Sequence, residues 1–356
     1  MLSAPNTKRF FVIGLPILVI ALVRVWQYVD ASPSLMLYDL LVPLRSNDFV
    51  HRTIWVTGAS SGIGAALVCE LAKGGARHVV LSARRVERMH RVIQTCQQQQ
   101  QQQQWTDLQE QNPIPITTFS VVKYDALDVN ATDSIVLEAI QSTPNQSIDI
   151  LVLNSGIYQL RLAEDTMAEE REKLARVNLE APIALSQALM HHNKWKERGY
   201  GRLVVMSSVM AMGPHGLCSF YAATKAALRS YFQTLSVEAS TWLRVNVVLP
   251  GGTASEMWHN KFGDTVRVDP AGLMTSQRVA ALTVKAMRGP IVLFWEVWIS
   301  KIEGLLYVWM SHYCPGLFYL ANHVVGTIRV MALDKYNVDA ISISTLLQVL
   351  YRAAMG

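Results

Sequence analysis

Short apolar runs separated by amphipathic stretches recur through the middle of the chain. Ile54–Val56, His78–Ser82, Thr117–Val122, Ile148–Leu153, Leu203–Ser207 and Arg244–Leu249 are strand-length and rich in Val, Ile and Leu. Between them, apolar residues fall at helical spacing, in Ala65–Lys73, Glu169–His192 and Tyr221–Leu243. Nearly continuous apolar strands are those buried on both faces, and their alternation with helices gives a parallel sheet covered on each side. The pattern therefore predicts a doubly wound α/β sheet of about seven strands. It extends over residues 53–289.

The two ends depart from this alternation. Phe10–Val23 carries no charge, Arg24 interrupts the run, and Val25–Val29 continues it. That length spans a bilayer if Arg24 snorkels to the interface, where Trp26 and Tyr28 also belong. Residues 1–30 are read as an N-terminal membrane anchor helix, and residues 31–52 as a linker. A cleaved signal peptide, with Val29 and Ala31 as the small residues before the cut, is the competing reading. Residues 290–356 form a C-terminal helical extension. There Trp295, Trp298, Ile299, Ile302, Leu305, Leu306 and Trp309 line one helical face, and Glu296, Lys301 and Glu303 fall on the other. Such a stripe faces either the core or a membrane interface. Pro315, Gly316 and several polar groups make Tyr313–Ile328 a poor second span.

Eight consecutive glutamines, Gln97–Gln104, sit between the second helix and third strand, within a Gln-rich segment at 96–112. A surface connection absorbs such an expansion at little entropic cost, so the tract should be deletable without loss of activity.

Charge narrows the partners. The formal net charge is +5 and no Lys/Arg run exceeds two residues, which excludes a nucleic-acid footprint and suits anionic cofactors or lipid headgroups. Cys69, Cys96, Cys218 and Cys314 are widely spaced, so neither a metal site nor a disulfide framework is expected, and buried free thiols are.

The candidate chemistry lies at the strand ends. Thr57-Gly58-Ala59-Ser60-Ser61-Gly62-Ile63-Gly64 joins an apolar run to a helical pattern, which is the context of a dinucleotide-binding turn. Gly58 permits the turn, Gly62 and Gly64 admit a pyrophosphate and close helix packing, and the helix start offers free N–H groups. Tyr221 and Lys225, four apart, share one helix face, and Ser208 stands thirteen residues earlier at a strand end. After the second strand come Ala83, Arg84 and Arg85, where an NAD enzyme places an acid, so guanidinium is available to a 2′-phosphate.

Together with Asn178 in a helix, Asn154-Ser155-Gly156 after the fourth strand, and Pro250-Gly251, these motifs make the chain resemble the short-chain dehydrogenase/reductase family. The match runs from about Thr53 to Thr253. Within that family the anchor, the Ala-Arg-Arg segment and Cys314-Pro315-Gly316-Leu317-Phe318 resemble the membrane-anchored type 7 subgroup, related to 11β-hydroxysteroid dehydrogenase type 1.

The resemblance implies a Rossmann-type fold, NADP(H), and reduction of a ketone or aldehyde on a lipophilic substrate: a steroid, retinoid or lipid. It implies Tyr221 as general acid/base, Lys225 lowering the Tyr221 pKa and holding the nicotinamide ribose, and Ser208 orienting the substrate oxygen. Asn178 would hold a relay water, Asp128 with Val129 would recognise adenine, and Thr253 would contact the carboxamide. The substrate pocket would be formed by Met210–Phe220, Met257, Trp258 and the C-terminal apolar region. Leu153 stands where the family usually has an amide, leaving Asn154 and Gly156 to support the adenosine side. An endoplasmic-reticulum or peroxisomal membrane location and a homodimer are further implications of the resemblance. Two other readings stay open at this point: NAD-dependent oxidation of a lipid alcohol, and a catalytically idle membrane-bound scaffold. Asn130-Ala131-Thr132 and Asn145-Gln146-Ser147 are glycosylation acceptors if the domain faces a lumen.

Overall fold

Six of the apolar runs become strands, and a seventh strand joins them from the C-terminal region. A computed structural model describes residues 29–42, 48–107, 115–257, 267–268, 273–336, 338–339 and 347–351. The anchor helix and Trp258 lie outside the described residues, apart from Val29 and Asp30 at the end of the anchor segment. The strands of the main sheet are β1 (Thr53–Thr57), β2 (His78–Ala83), β3 (Thr118–Lys123), β4 (Ile150–Leu153), β5 (Gly201–Met206), β6 (Leu243–Pro250) and β7 (Glu296–Ile299). All pair in parallel, in the order β7-β6-β5-β4-β1-β2-β3. The order reverses between β1 and β4, so a crevice opens at their carboxyl ends, which is where ligands bind in open α/β sheets.

The principal helices are α1 (Pro33–Leu41), α2 (Gly62–Lys73), α3 (Val86–Asp107), α4 (Thr132–Gln141), α5 (Ala168–Ala175), α6 (Ala181–His192), α7 (Ser219–Glu238), α8 (Ser276–Arg288), α9 (Ile302–Tyr313) and α10 (Pro315–Tyr336). Alternate strand residues feed two cores. Ile54, Val56, Val79 and Leu81 pack under α2, α3 and α8, while Trp55, Val80, Leu151 and Leu203 pack on the opposite face with residues of α4, α6 and α7. Both faces being buried explains why the strands read as unbroken apolar runs.

Several local expectations are corrected. The glutamines do not form a loop: they extend α3, and buried Gln100 donates through Nε2 to the Ala72 carbonyl (2.8 Å) and Thr117 Oγ1 (3.1 Å). A run of one polar residue type reads as low complexity, yet glutamine has good helix propensity and the preceding helix needs no stop signal. Cys69 and Cys96 are not free thiols but a disulfide joining α2 to α3, because those helices pack side by side and bring distant cysteines together. Trp295 to Trp309 is not one helical stripe. Glu296–Ile299 pairs with β6, and the helix begins only at Ile302. Arg229 and Gln233 both donate to Glu296, tying this edge strand to α7.

The segment read as a linker carries α1, whose buried Leu35 joins the first core. Arg278 of α8 donates to Asp30 (2.6 Å) and Asp39 (2.9 Å), holding the amino-terminal approach against the domain. The 169–192 helix is interrupted by a π-turn at Arg176–Glu180. Helix α10 is apolar and long enough over Pro315–Leu333 to cross a membrane by length and composition. Its Phe318, Arg329 and Ala332 are nevertheless buried in the domain.

Candidate active site

The glycine turn is built by a cross-strand staple. Thr57 Oγ1 at the end of β1 donates to the Val152 carbonyl (3.2 Å) and accepts from the Asn154 (3.0 Å) and Ser155 (3.2 Å) amides. Asn154 Nδ2 returns donors to the Thr57 (3.0 Å) and Gly58 (3.3 Å) carbonyls. Both ends of the switch-point crevice are thus locked to each other. Gly58 and Gly62 adopt φ of 65° and 57°, the left-handed region that favours glycine. At Gly64 a Cβ would collide with the Gly58 carbonyl and Asn154 Nδ2, so only hydrogen lets α2 approach β1. Ser61 stands at the N-cap of α2 without a side-chain capping bond, so the first N–H groups of the helix keep free donors, while Ile63 packs into the first core.

At the end of β2, Arg84 is exposed and Arg85 turns back over the glycine turn. Arg85 Nη2 lies 3.3 Å from Ser60 Oγ and 3.1 Å from Ser61 Oγ, and its Nη1 donates to Glu256 (3.1 Å). After β3, Asp128 Oδ1 accepts from the Ala131 amide (3.2 Å) and caps a short 3₁₀ turn that contains Val129. Pro250 ends β6. The Gly251 amide donates to Ile299 (2.8 Å), and Thr253 Oγ1 donates to the Gly251 carbonyl (3.0 Å).

The second cluster faces this one across the crevice. Tyr221 and Lys225 are both buried on α7, and Lys225 Nζ lies 5.9 Å from the Tyr221 ring centre. Lys225 donates to the Met206 carbonyl (2.9 Å). Ser208, just past β5, donates through Oγ to the Pro250 carbonyl (3.5 Å) and accepts from the Met210 amide (3.2 Å). Asn178 occupies the π-turn. It is wholly buried, receives the Ile157 amide (2.9 Å), and donates to the Ile157 carbonyl (2.9 Å) and Thr224 Oγ1 (3.3 Å). A π-turn displaces one residue from the helical ladder, which aims this amide at the crevice. Gly156 is the joint between them: a Cβ there would stand 3.4 Å from Asn178 Oδ1 and 3.6 Å from Lys225 Nζ.

Electrostatics depart from the expectation for Tyr221. Burial pushes its phenol up to about 12, outweighing the Ser208 hydrogen bond that works downward. Burial likewise pushes the Lys225 ammonium down to about 8. Each shift disfavours the charged form in a dry site, as desolvation must. Lys225 stays cationic at neutral pH, while Tyr221 is held as a proton donor.

Two positioning residues escaped the sequence reading. Gln159, fully buried after β4, accepts the Phe220 (2.9 Å) and Tyr221 (3.0 Å) amides through Oε1 and donates to Thr166 Oγ1 (2.7 Å). It therefore caps the first turn of α7, from which Tyr221 projects. Arg329 comes from α10, far along the chain. It donates to the Gly216 carbonyl (3.0 Å) and to Tyr158 Oη (3.0 Å), and the Tyr158 ring meets Tyr221 edge-on at 4.8 Å. Neither lies in a recognisable motif, and a lone glutamine or arginine carries no spacing signal.

Beside Tyr221 lies an apolar cluster of Tyr158, Leu160, Leu217 and Cys218, with Met210, Phe220 and Met257 against it. Leu160 and Leu217 also line an open cavity of about 1160 Å³ whose other side is formed by Tyr319, His323 and Val330 of α10. A smaller hollow of about 580 Å³ lies over β3, remote from these residues.

A family model described as short chain dehydrogenase matches residues 52–265, more than half of the chain. The chain belongs to the short-chain dehydrogenase family. It is 30% identical over 291 residues to dehydrogenase/reductase SDR family member 7 of Homo sapiens, covering 80% of each chain. It is 31% identical over 231 residues to 11-beta-hydroxysteroid dehydrogenase-like 3 of Arabidopsis thaliana, covering 63% of this chain and 68% of that one. Among solved structures, a short-chain dehydrogenase from Sphingobium yanoikuyae in complex with NADPH aligns with a TM-score of 0.54 and 26% identity, over 67% of this chain and 85% of that one. An alcohol dehydrogenase from Thermococcus sibiricus shares the fold at a TM-score of 0.58 and 21% identity, over 70% and 97% of the two chains. As a short-chain dehydrogenase, this protein is an oxidoreductase of the dehydrogenase/reductase type.

Proposed function

We propose that this short-chain dehydrogenase is a membrane-tethered NADP(H)-dependent carbonyl reductase and alcohol dehydrogenase acting on a lipophilic substrate. The observation that carries the reading is the buried Ser208–Tyr221–Lys225 cluster facing a glycine turn whose Gly64 admits no side chain.

The residues present fit the cofactor. Thr57, Gly58, Ser60, Ser61, Gly62, Ile63 and Gly64 form the pyrophosphate cradle, with Asn154 and Gly156 supporting it. Asp128 and Val129 border the adenine side, and Pro250, Gly251 and Thr253 border the nicotinamide side. Arg84 and Arg85 supply guanidinium for a 2′-phosphate, and the Glu256 carboxylate already seated on Arg85 is a stand-in for such an anion. The Sphingobium relative carries NADPH, which supports the same assignment here.

Bound NADPH supplies the hydride that reduces a carbonyl carbon. Tyr221 donates its phenolic proton to the carbonyl oxygen in reduction and removes it in oxidation. Ser208 donates a hydrogen bond to the same oxygen, stabilising charge as it develops. Lys225, cationic at neutral pH, holds the cofactor ribose and favours the phenolate once Tyr221 has given up its proton. Asn178, anchored by Ile157 and Thr224, holds the relay that returns a proton to Lys225.

The cavity bounded by Leu160, Leu217 and Val330 suits an apolar substrate body. Leu306, Trp309, Tyr313, Leu317, Tyr319, Leu320 and Val324 of α9 and α10 are exposed, and aromatic residues among aliphatic ones suit a bilayer interface. This favours a membrane location such as the endoplasmic reticulum. The Cys69–Cys96 disulfide favours an oxidising lumen for the catalytic domain, where exposed Asn145 is the better placed glycan acceptor. Asn130 adjoins Asp128 at the adenine mouth, where a glycan would crowd the cofactor.

The deciding experiment is NADPH consumption by the purified full chain against steroid ketones, retinal and lipid ketones, with Tyr221→Phe alongside. Turnover of one class, reduced by about 10²–10⁴-fold in the variant while NADPH still binds, is the expected result. Equal turnover in Tyr221→Phe would remove the proton-donor role.

A further inference from the structure

Glu256 follows β6 on the substrate side of the crevice, yet its carboxylate reaches across to the adenosine side. Its oxygens lie 2.6 and 2.5 Å from Arg88 Nη1, and Arg85 Nη1 is 3.1 Å away. Arg85 Nη2 meanwhile faces Ser60 and Ser61 on the glycine turn. Two guanidinium groups thus meet on one carboxylate that belongs to the chain itself, and one of them also reaches the two hydroxyls of the glycine turn. Burial works to raise the Glu256 carboxyl, but hydrogen bonds from Arg88 and Arg85 outweigh it and hold it below the usual carboxylate range.

We propose that Glu256 is an internal competitor for the 2′-phosphate seat and thereby sets the discrimination between NADP(H) and NAD(H). The proposal rests on the NADP(H) reading above and deepens it. A 2′-phosphate brings nearly two charges and three acceptor oxygens to Arg85 and Arg88, where the carboxylate brings one charge and two oxygens, so the phosphate displaces it. NAD(H) carries a hydroxyl at that position. It has no anion with which to displace Glu256, and a carboxylate there can accept the ribose hydroxyl, as acidic residues do in NAD-binding sites. The same side chain therefore works against one cofactor and with the other.

The position of Glu256 also couples the seat to the substrate side. A Cβ on Gly62 would meet Ser255 at 3.2 Å, so this segment lies over the glycine turn. Met257, next in sequence, packs against the cluster that contains Tyr221. Displacing the carboxylate releases a tether on the residues that border the reacting centre.

The test is calorimetric titration of the full-length chain in detergent micelles with NADP⁺, NAD⁺ and adenosine 2′,5′-bisphosphate, none of which requires turnover. Glu256 is 41% exposed, so its replacement leaves the fold intact. Glu256→Gln should tighten NADP⁺ and the bisphosphate by about three- to tenfold, the equivalent of one exposed ion-pair network, and should not tighten NAD⁺. Glu256→Asp keeps the charge but shortens its reach, and should also tighten NADP⁺ if occupation of the seat is the cause. Unchanged bisphosphate affinity in Glu256→Gln, in a protein that prefers NADP⁺ and loses that preference in Arg85→Gln, overturns the role of Glu256 and leaves the cofactor reading standing. Equal tightening of NADP⁺ and NAD⁺ overturns it as well, since that is only a field effect. If the unaltered protein binds NADP⁺ and NAD⁺ alike and Arg85→Gln changes neither, the seat itself is misplaced and both readings fall.

Discussion

The two halves of the crevice are built by different means. The cofactor half is assembled from β1, the glycine turn and the start of α2, with Thr57 and Asn154 stapling neighbouring strand ends. The substrate half depends on residues brought from afar: Gln159 on the N-terminus of α7, and Arg329 of α10 on Tyr158 and the loop before α7. The first half is shaped for contacts that any dinucleotide makes, through backbone N–H groups and missing side chains. The second is shaped by side-chain pairs that a change of substrate can rewrite. A family can therefore keep one half and vary the other.

The comparison predicts that damage to one half should spare the other. The largest effect is expected for Gly64→Ala. The new methyl meets the Gly58 carbonyl, which is backbone, and Asn154 Nδ2, a side-chain end held in place by the Thr57 and Gly58 carbonyls. Overpacking against such neighbours should cost about 3 kcal/mol, at the upper end for such changes, and should weaken NADPH binding by more than about tenfold. Thermal unfolding and NADPH fluorescence check it. Unaltered NADPH affinity would mean that close approach of α2 to β1 is not what forms the cradle.

Arg329→Leu attacks the other half. It removes two hydrogen bonds from a buried cation, at a cost of about 1.5–3 kcal/mol, relieved in part because the cation no longer has to be buried. Stability should fall and turnover of a carbonyl substrate should drop, while NADPH affinity stays within about twofold. Comparable loss of cofactor affinity would show that the halves are not separable. Tyr158→Phe should be non-additive with Arg329→Leu, because each removes the same bond.

Gln159→Leu is a smaller and more local perturbation. Two amides at the start of α7 lose their acceptor, for about 1–2 kcal/mol when water partly replaces it. Because the cap holds the backbone of Tyr221, kcat should fall more than KM rises. A Gln159→Glu variant keeps the acceptor and adds favourable charge at a helix N-terminus, but it gives up the bond to Thr166 and buries a carboxylate, so it should recover only part of the stability.

How much of this was legible follows the same division. The sheet could be read because strands buried on both faces leave uninterrupted apolar runs. The glycine turn and the Tyr221–Lys225 pair could be read because their spacing is local. The seventh strand was missed because Trp295, Trp298 and Ile299 also satisfy a helical period, and pairing with β6 decided between the two. The Cys69–Cys96 bridge was missed because nothing in a 27-residue separation reveals that α2 and α3 lie side by side. Gln159, Glu256 and Arg329 act through partners 62, 171 and 171 residues away, at Tyr221, Arg85 and Tyr158. No single-sequence pattern encodes such pairings.

The finest test of the division is pH, because burial shifts the two groups that share α7 in opposite senses. Tyr221, pushed up to about 12, stays protonated throughout the working range and contributes no limb there. Lys225, pushed down to about 8, loses its proton well below the usual lysine range. If cationic Lys225 holds the cofactor ribose, kcat/KM for NADPH should decline as pH rises through about 8, since that ratio reports the free enzyme. Stability should move the other way. Between about 8 and the ordinary lysine value near 10.5 the unfolded chain binds the proton that the folded chain has released, so the Lys225 contribution to stability rises with pH in that window. Binding that weakens while the fold tightens separates loss of this one charge from general alkaline denaturation, in which both would fail together. Lys225→Arg, which stays protonated, should abolish both slopes. A decline that persists in Lys225→Arg would assign the limb to another group and leave Lys225 with a structural role only.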